Sequence, residues 1–291
     1  MQYITPSDGS LFEHLIQAFP DSSRSTLRSW VSHGRIQVNE RKATRTDTKV
    51  LAGSLIELAP KPLPKEGPLR IHYEDRDIIV VEKPSGLLSV AKETGDEPSV
   101  HAWLKHRYPG RVIPVVHRLD QDTSGLMVFG ISDEGFRRLK QALQNGEVKR
   151  LYRAVVEGAL VKDGTWESYL VEDKYLKMQV VPKGTKDAER AVTHFTVLKV
   201  GEVYTLIDCE LETGKKNQIR VQASFAGHPL AGDKKYGCTE KDAFRLCLHA
   251  RLLSFTHPLT GAPMKFECPP PKFFDRLIWK KRHRSKTGNI G

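Results

Sequence analysis

The sequence predicts an α+β protein in two domains of unequal size, on three observations. A proline-rich break, Ala59-Pro60-Lys61-Pro62-Leu63-Pro64-Lys65-Glu66-Gly67-Pro68, disfavours helix and sheet interior and sets a stiff linker over 59–68. Ahead of it, residues 1–58 mix short helical patterns with strands. Behind it, 69–280 holds many short β-rich apolar runs and few helical ones, the pattern of a largely antiparallel mixed sheet flanked by helices. A chain of 291 residues suits two cores better than one.

In chain order, Leu11, Leu15, Ile16 and Phe19 fall at helical spacing. Ser22 or Ser23 can cap a second helix with Leu27, Trp30 and Val31 on its apolar side, and Gly34 suits its stop. Ile36, Val38 and Asn39 alternate as a strand does, and a final apolar strand is expected from Leu51 to Leu58. In the larger part, a strand pattern and the turn Tyr73 to Asp77 lead to the buried strand Ile78-Ile79-Val80-Val81. Further strands are expected at Val112 to Val116, Leu126 to Phe129, Leu151 to Val156, Val192 to Leu198 and Tyr204 to Leu211. The clearest helix runs from Asp133 to Leu143, with Asp133 as its expected cap. The last stretch, 281–291, is a basic tail expected to be disordered when free and to add electrostatic grip on a polyanion.

Lys and Arg number 46 against 35 Asp and Glu, a net charge of +11, which favours a nucleic-acid partner. No apolar run is long enough for a membrane span and the N-terminus has no signal-like pattern, so a cytoplasmic protein is expected. Cys209, Cys238, Cys247 and Cys268 form no CxxC pair, so neither zinc nor a disulfide framework is expected. No GxGxxG or P-loop is present, and no cofactor is expected. Residues 20–50 set Arg24, Arg28, Arg35, Arg41, Lys42, Arg45 and Lys49 against Asp21, Glu40 and Asp47. Arg24 and Arg28, one helical turn apart, can present two guanidinium groups to phosphates.

The polar string His117-Arg118-Leu119-Asp120-Gln121-Asp122-Thr123-Ser124-Gly125 lies between apolar runs, where side chains face a surface or cleft. Asp120 alone would read as a turn carboxylate. The full string, however, resembles the HRLDxxTSG motif of the RluA family of pseudouridine synthases. Glu82-Lys83-Pro84-Ser85-Gly86-Leu87 resembles the family's KPxGL segment, and Lys149-Arg150-Leu151-Tyr152-Arg153-Ala154 its KxYxA segment. Gly214-Lys215-Lys216-Asn217-Gln218-Ile219-Arg220-Val221 resembles its third motif. Gly227-His228-Pro229-Leu230, Gly232-Asp233, Tyr236-Gly237 and Leu248-His249-Ala250 follow in the family's order. Residues 8–58 resemble the S4 RNA-binding domain, a small α/β unit, through Ser-Arg-Ser-x-Leu-Arg-x-Trp-Val-x-x-Gly-Arg-Ile-x-Val-Asn.

The resemblance implies isomerisation of uridine to pseudouridine in structured RNA, with 23S-type ribosomal RNA as the expected partner; oligomeric state is left open, with a monomer as the default expectation. It implies that Asp120 is the catalytic carboxylate, Arg220 its ion-pair partner and Tyr152 a stacking aromatic, although on its residues alone Tyr152 reads as core. Arg118 is expected to fill the stack left by a flipped base, with His117, Lys215, Arg24, Arg28 and Arg35 as further RNA contacts. The reaction gains and loses no atom overall, so it calls for neither metal nor redox cofactor. In the third motif Lys215, Asn217 and Gln222 replace the usual Arg and two His, so RNA contacts there carry over least securely. Three other readings are weighed. A zinc deaminase lacks its HxE and PCxxC here. A non-catalytic RNA-binding or ribosome-assembly factor would tolerate loss of Asp120, Tyr152 or Arg220, all present. A tRNA target is the alternative to ribosomal RNA.

Overall fold

In the computed structural model, the apolar spacing at Leu11 and Leu15 produces the helix α1 (Leu11–Ala18), with Phe19 at its end. Ser10 caps it: its hydroxyl accepts from the Glu13 N–H while the Glu13 carboxylate accepts from the Ser10 N–H, a reciprocal capping box. The helix α2 (Arg24–Ser32) follows, its start held by the Thr26 N–H donating to the Ser23 hydroxyl at 3.2 Å. Leu11, Leu15, Leu27 and Val31 bury together against Ile36 and Ile56 of the sheet.

The structure describes residues 2–32, 34–59, 69–91 and 97–281, in two units, Met1–Lys65 and Glu66–Gly291. The linker prolines at 60–68 and the tail beyond Lys281 lie outside the described residues. In the first unit the strands are β1 (Gln2–Ile4), β2 (Gly9–Ser10), β3 (Ile36–Val38), β4 (Arg41–Lys42), β5 (Lys49–Val50) and β6 (Leu55–Leu58). They pair antiparallel in the order β1-β6-β3-β4, with β2 and β5 as a separate pair. The strand expected from Leu51 starts only at Leu55. Residues 51–54 turn instead, because the Ala52 N–H donates to the Asp8 carboxylate and the Gly53 N–H to the Thr5 carbonyl.

The second unit contains β7 (Arg70–Glu74), β8 (Ile78–Lys83), α3 (Val100–Arg107), β9 (Ser124–Gly130), α4 (Asp133–Gln144), β10 (Lys149–Glu157) and β11 (Gly164–Glu172). After these come β12 (Met178–Val181), β13 (Glu189–Val200), β14 (Tyr204–Leu211), α5 (Gln218–Phe225), β15 (Leu248–Thr256), β16 (Pro263–Glu267) and α6 (Phe273–Leu277). One mixed sheet runs β12-β11-β13-β14-β10-β15-β9-β8-β7, with β16 added on β15. Among the described residues its single parallel pairing is β15 with β9.

Both faces of β8 are covered. Ile78 and Val80 pack with Leu139 of α4, whereas Ile79 and Val81 share a core with Val100 and Leu104 of α3, as the two-residue period of a strand requires. Two expectations change here. Val112 to Val116 forms no strand: Val112 is exposed, and the segment is pinned as a loop by the ring of His101 on the Ile113 carbonyl at 2.7 Å. Ser132, rather than Asp133, caps α4 by accepting from the Gly135 N–H at 3.0 Å. Asp133 sits inside the first turn, where its charge complements the helix dipole.

Candidate active site

Strand register brings the polar loop and Tyr152 together. Gly125, at the loop's end, pairs with Ala250 of β15, and Ala250 pairs on its other side with Tyr152 of β10. The loop and the tyrosine are thus separated by two interstrand spacings, about 10 Å. Gly125 is required there: its φ is +116°, and a Cβ would lie 2.2 Å from the Ala250 carbonyl oxygen. The side chains face a cleft of about 820 Å³ whose lining includes Asp120, Tyr152 and Arg220, within the range of small-ligand sites.

Residues 83–89 clasp the loop that carries Asp120. The Lys83 ammonium, fully buried, donates to the carbonyls of Pro84, Leu87 and Gln121 at 2.7 to 3.0 Å. Gly86 N–H donates to the Gln121 carbonyl, the Gln121 amide returns a bond to the Gly86 carbonyl, and the Ser85 hydroxyl donates to the Asp122 carbonyl. Ser89 accepts from the Leu119 N–H and donates to the Leu119 carbonyl. Burial pushes the Lys83 pKa down to about 7, opposed by the charges of Asp120 and Asp122. Three carbonyl acceptors match the three N–H donors of the ammonium form. KPxGL was legible as a segment, but its work as the clasp on the Asp120 loop was not.

Arg220 projects from the first turn of α5 and divides its donors between two carboxylates. Its Nε and Nη2 bond Asp233 bidentately at 2.7 and 2.8 Å, and its Nη1 reaches Asp120 at 3.5 Å. Its guanidinium also lies 5.2 Å from the centre of the Tyr236 ring. Burial works against the Arg220 charge, but the bonds and charge of Asp233, then the charge of Asp120, hold its pKa above the ordinary value. The primary partner of Arg220 is therefore Asp233, whose carboxylate is fully buried, and Asp120 remains 24% exposed to the cleft. Tyr152 is buried; burial raises its phenol pKa, the charge of Arg150 lowers it and that of Asp120 raises it.

The other expected contacts fall in different places. Arg118 is exposed and lines the cleft. His117 is used inside the protein: its Nε2 accepts from the Val128 N–H at 3.1 Å, and burial, then the charge of Arg150, pushes its pKa down to about 3, so the ring is neutral. Lys215 lines the cleft but is paired with Glu189 at 2.5 Å. Arg24 and Arg28 are exposed on α2, with Arg28 over the Phe12 ring. Arg35 is corrected: it is 5% exposed, and its guanidinium donates to the Ala59 carbonyl, so it serves the interior of the first unit rather than a phosphate.

The departures in the third motif also have local explanations. Gln222 is a buried hub: its amide donates to the Trp166 and Ala191 carbonyls and the Ser168 hydroxyl, and its carbonyl accepts from Thr193. Asn217 adopts φ +51° and accepts from the Tyr236 hydroxyl at 3.1 Å, shaping the loop before α5. Among the described residues one group has metal-type ligands: His72, Glu82 and Cys268, whose ligand atoms lie within 4.8 Å of one another. None of the three lines the cleft.

Two solved structures share the fold. Human RNA Pseudouridylate Synthase Domain Containing 4 matches with a TM-score of 0.58 and 24% identity, covering 71% of this chain and 90% of that one. Human RNA Pseudouridylate Synthase Domain Containing 1 matches with a TM-score of 0.59 and 24% identity, over 70% and 84%. The fold is thus that of the pseudouridylate synthases. In sequence, the family model described as RNA pseudouridylate synthase matches residues 77–225, and that of the S4 domain matches 15–56. The chain belongs to the RNA pseudouridylate synthase family, and it is an isomerase that acts on RNA.

Named relatives agree. Ribosomal large subunit pseudouridine synthase D of Neisseria meningitidis serogroup A is 39% identical over 93% of this chain and 78% of its own. The protein of the same name from Escherichia coli is 35% identical over 94% and 92%. A Bacillus subtilis protein called uncharacterized RNA pseudouridine synthase YlyB is 37% identical over 89% of each chain.

Proposed function

We propose that this enzyme converts uridine to pseudouridine in large-subunit ribosomal RNA, in the cytoplasm, with Asp120 as the catalytic carboxylate. The observation that carries this is the meeting of Asp120, Tyr152 and Arg220, from three separate sequence motifs, in one cleft. The ribosomal target rests on the relatives' names and on the S4 domain. The location follows from that target; among the described residues no helix is long and apolar enough to cross a membrane.

Isomerisation breaks the N1–C1′ bond, turns the uracil and rejoins it through C5, with the C5 proton lost and one gained at N1. The base must first leave its helix. Arg118, exposed beside Asp120, fills the vacated stack, and Tyr152 offers the flipped uracil a flat buried surface. Asp120 faces the sugar, its carboxylate oriented by the Nη1 of Arg220 at 3.5 Å. Arg220 is itself held by Asp233 and does not swing away when substrate enters. The exposed Arg24 and Arg28 of the S4 domain contact phosphates and add affinity without contributing to chemistry.

Purified full-length protein, incubated with a large-subunit rRNA transcript and no added metal, is expected to produce pseudouridine at discrete positions. Asp120→Asn is expected to abolish conversion while RNA binding persists. Conversion that survives in Asp120→Asn overturns the catalytic assignment.

A further inference from the structure

We propose that Arg150 and Thr123 form a second subsite of the cleft, one that takes an oxygen of the bound nucleotide. The inference rests on the reading of the cleft as the uridine site. Arg150 stands two residues before Tyr152 on β10, so strand alternation puts both on one face. Its Nε is buried and finds no hydrogen-bond partner among the described residues, and the same holds for the Thr123 hydroxyl. Both residues line the cleft. Buried donors are nearly always satisfied, so two unsatisfied ones on a single cleft point to a ligand that supplies the acceptors.

The other buried or half-buried cations of the cleft are already engaged. Arg220 holds Asp233 and Asp120, and Lys215 holds Glu189, while the exposed Lys216 pairs with Glu172. Among the described residues no ion pair joins Arg150. Its guanidinium instead lies against Gly214, where a Cβ would come within 2.7 Å of Nη1. The missing side chain at Gly214 leaves room for the guanidinium inside the wall of the cleft. The position also matters electrostatically, because the Arg150 charge acts on both Tyr152 and His117. An oxygen placed beside Tyr152 therefore meets a cation that no carboxylate among the described residues holds in an ion pair.

Two sources offer that oxygen. One is a uracil carbonyl, on which charge builds when the N1–C1′ bond breaks and its electron pair stays with the base. The other is the phosphodiester next to the flipped nucleotide. Full-length Arg150→Gln, Arg150→Lys and Thr123→Val, with wild type and Asp120→Asn alongside, distinguish them on the rRNA transcript. If the oxygen is a uracil carbonyl, Arg150→Gln lowers the single-turnover rate at saturating RNA by about 100-fold with binding unchanged, and Arg150→Lys recovers part of it. If it is a phosphate, Arg150→Gln weakens binding and reduces the slope of log affinity on log salt by about one, with the saturated rate kept. Either result supports the subsite, and Thr123→Val moves the same parameter less.

In thermal melts Arg150→Gln is expected to match or exceed wild type, since it removes an unsatisfied buried donor; a merely structural arginine would lower the melting temperature. Should Arg150→Gln fail to fold, Arg150→Lys and Thr123→Val decide by the same readouts. Wild-type conversion with all three variants indistinguishable from wild type in rate and binding overturns the subsite alone. A wild-type protein that converts no uridine overturns the underlying function as well.

Discussion

Arg28 and Arg220 are the same side chain in opposite settings. Arg28 projects from α2 of the first unit into solvent, its guanidinium resting on the face of Phe12. Arg220 is 8% exposed and committed to two carboxylates, one of them wholly buried. A charge in solvent costs little to keep and little to lose, which suits a sequence-blind grip on phosphates. A charge in the interior is tolerable only when paired, and the pairing fixes its direction to a fraction of an ångström. Under the proposed function, the S4 domain binds through interchangeable cations and the catalytic unit works through positioned ones.

The largest effect should come from the buried side of this comparison. Asp233→Ala leaves the Arg220 guanidinium without its bidentate partner and is expected to cost about 3–5 kcal/mol of stability in denaturant titrations. Conversion measured where the variant is still folded should be lost as well. Retention of both stability and activity would show that the Arg220–Asp233 pair is incidental. A smaller effect is expected from Arg24→Gln combined with Arg28→Gln. RNA affinity at low salt should fall by about tenfold and the salt slope by about two, with the melting temperature unchanged. Unaltered affinity would remove α2 from the RNA-binding surface.

The smallest effect tests the neutral groups of the interior. The pKa of His117 is depressed to about 3 and that of His249 to about 4 by burial, from the ordinary 6.5. Between those values and 6.5 the unfolded chain binds protons that the folded chain refuses, so stability is full above about pH 6.5 and declines as pH falls. Thermal melts should drop by a few degrees from about pH 7.5 to about pH 5, and His117→Asn should flatten part of that slope. Equal melting temperatures at both pH values would show that these rings are not held neutral.

How much of this was legible depends on how local the cause is. Strands such as Ile78 to Val81 and Tyr204 to Leu211 announce themselves through β-branched and apolar runs. Asp120, Tyr152 and Arg220 were named from a family resemblance, and the cleft gathers all three. Asp233 as the main partner of Arg220 was hidden, because a carboxylate in a turn looks alike whether it caps a helix or holds a guanidinium. Val112 to Val116 has strand composition but pairs with no strand among the described residues, and the His101 ring takes its Ile113 carbonyl instead. Arg35 looked like one more surface cation in a basic stretch. Only the approach of Ala59 to its guanidinium reveals an interior role. Arg150 and Thr123 stood inside quoted segments, yet their lack of partners is a property of three-dimensional packing that spacing does not report.

The parallel junction of β9 with β15 also makes the site depend on residues far apart in the chain. β9 and β10 are joined by one helix, yet they do not pair; β15 lies between them. Gly125 and Tyr152 keep their places only once Ala250, nearly a hundred residues after Tyr152, has entered that gap. Contacts between residues so far apart in sequence are, in general, slow to form. A chain that ends before β15 has the Asp120 loop clasped by residues 83–89 but lacks the strand that joins it to Tyr152. The arrangement of the cleft thus depends on a strand that stands near the end of the chain.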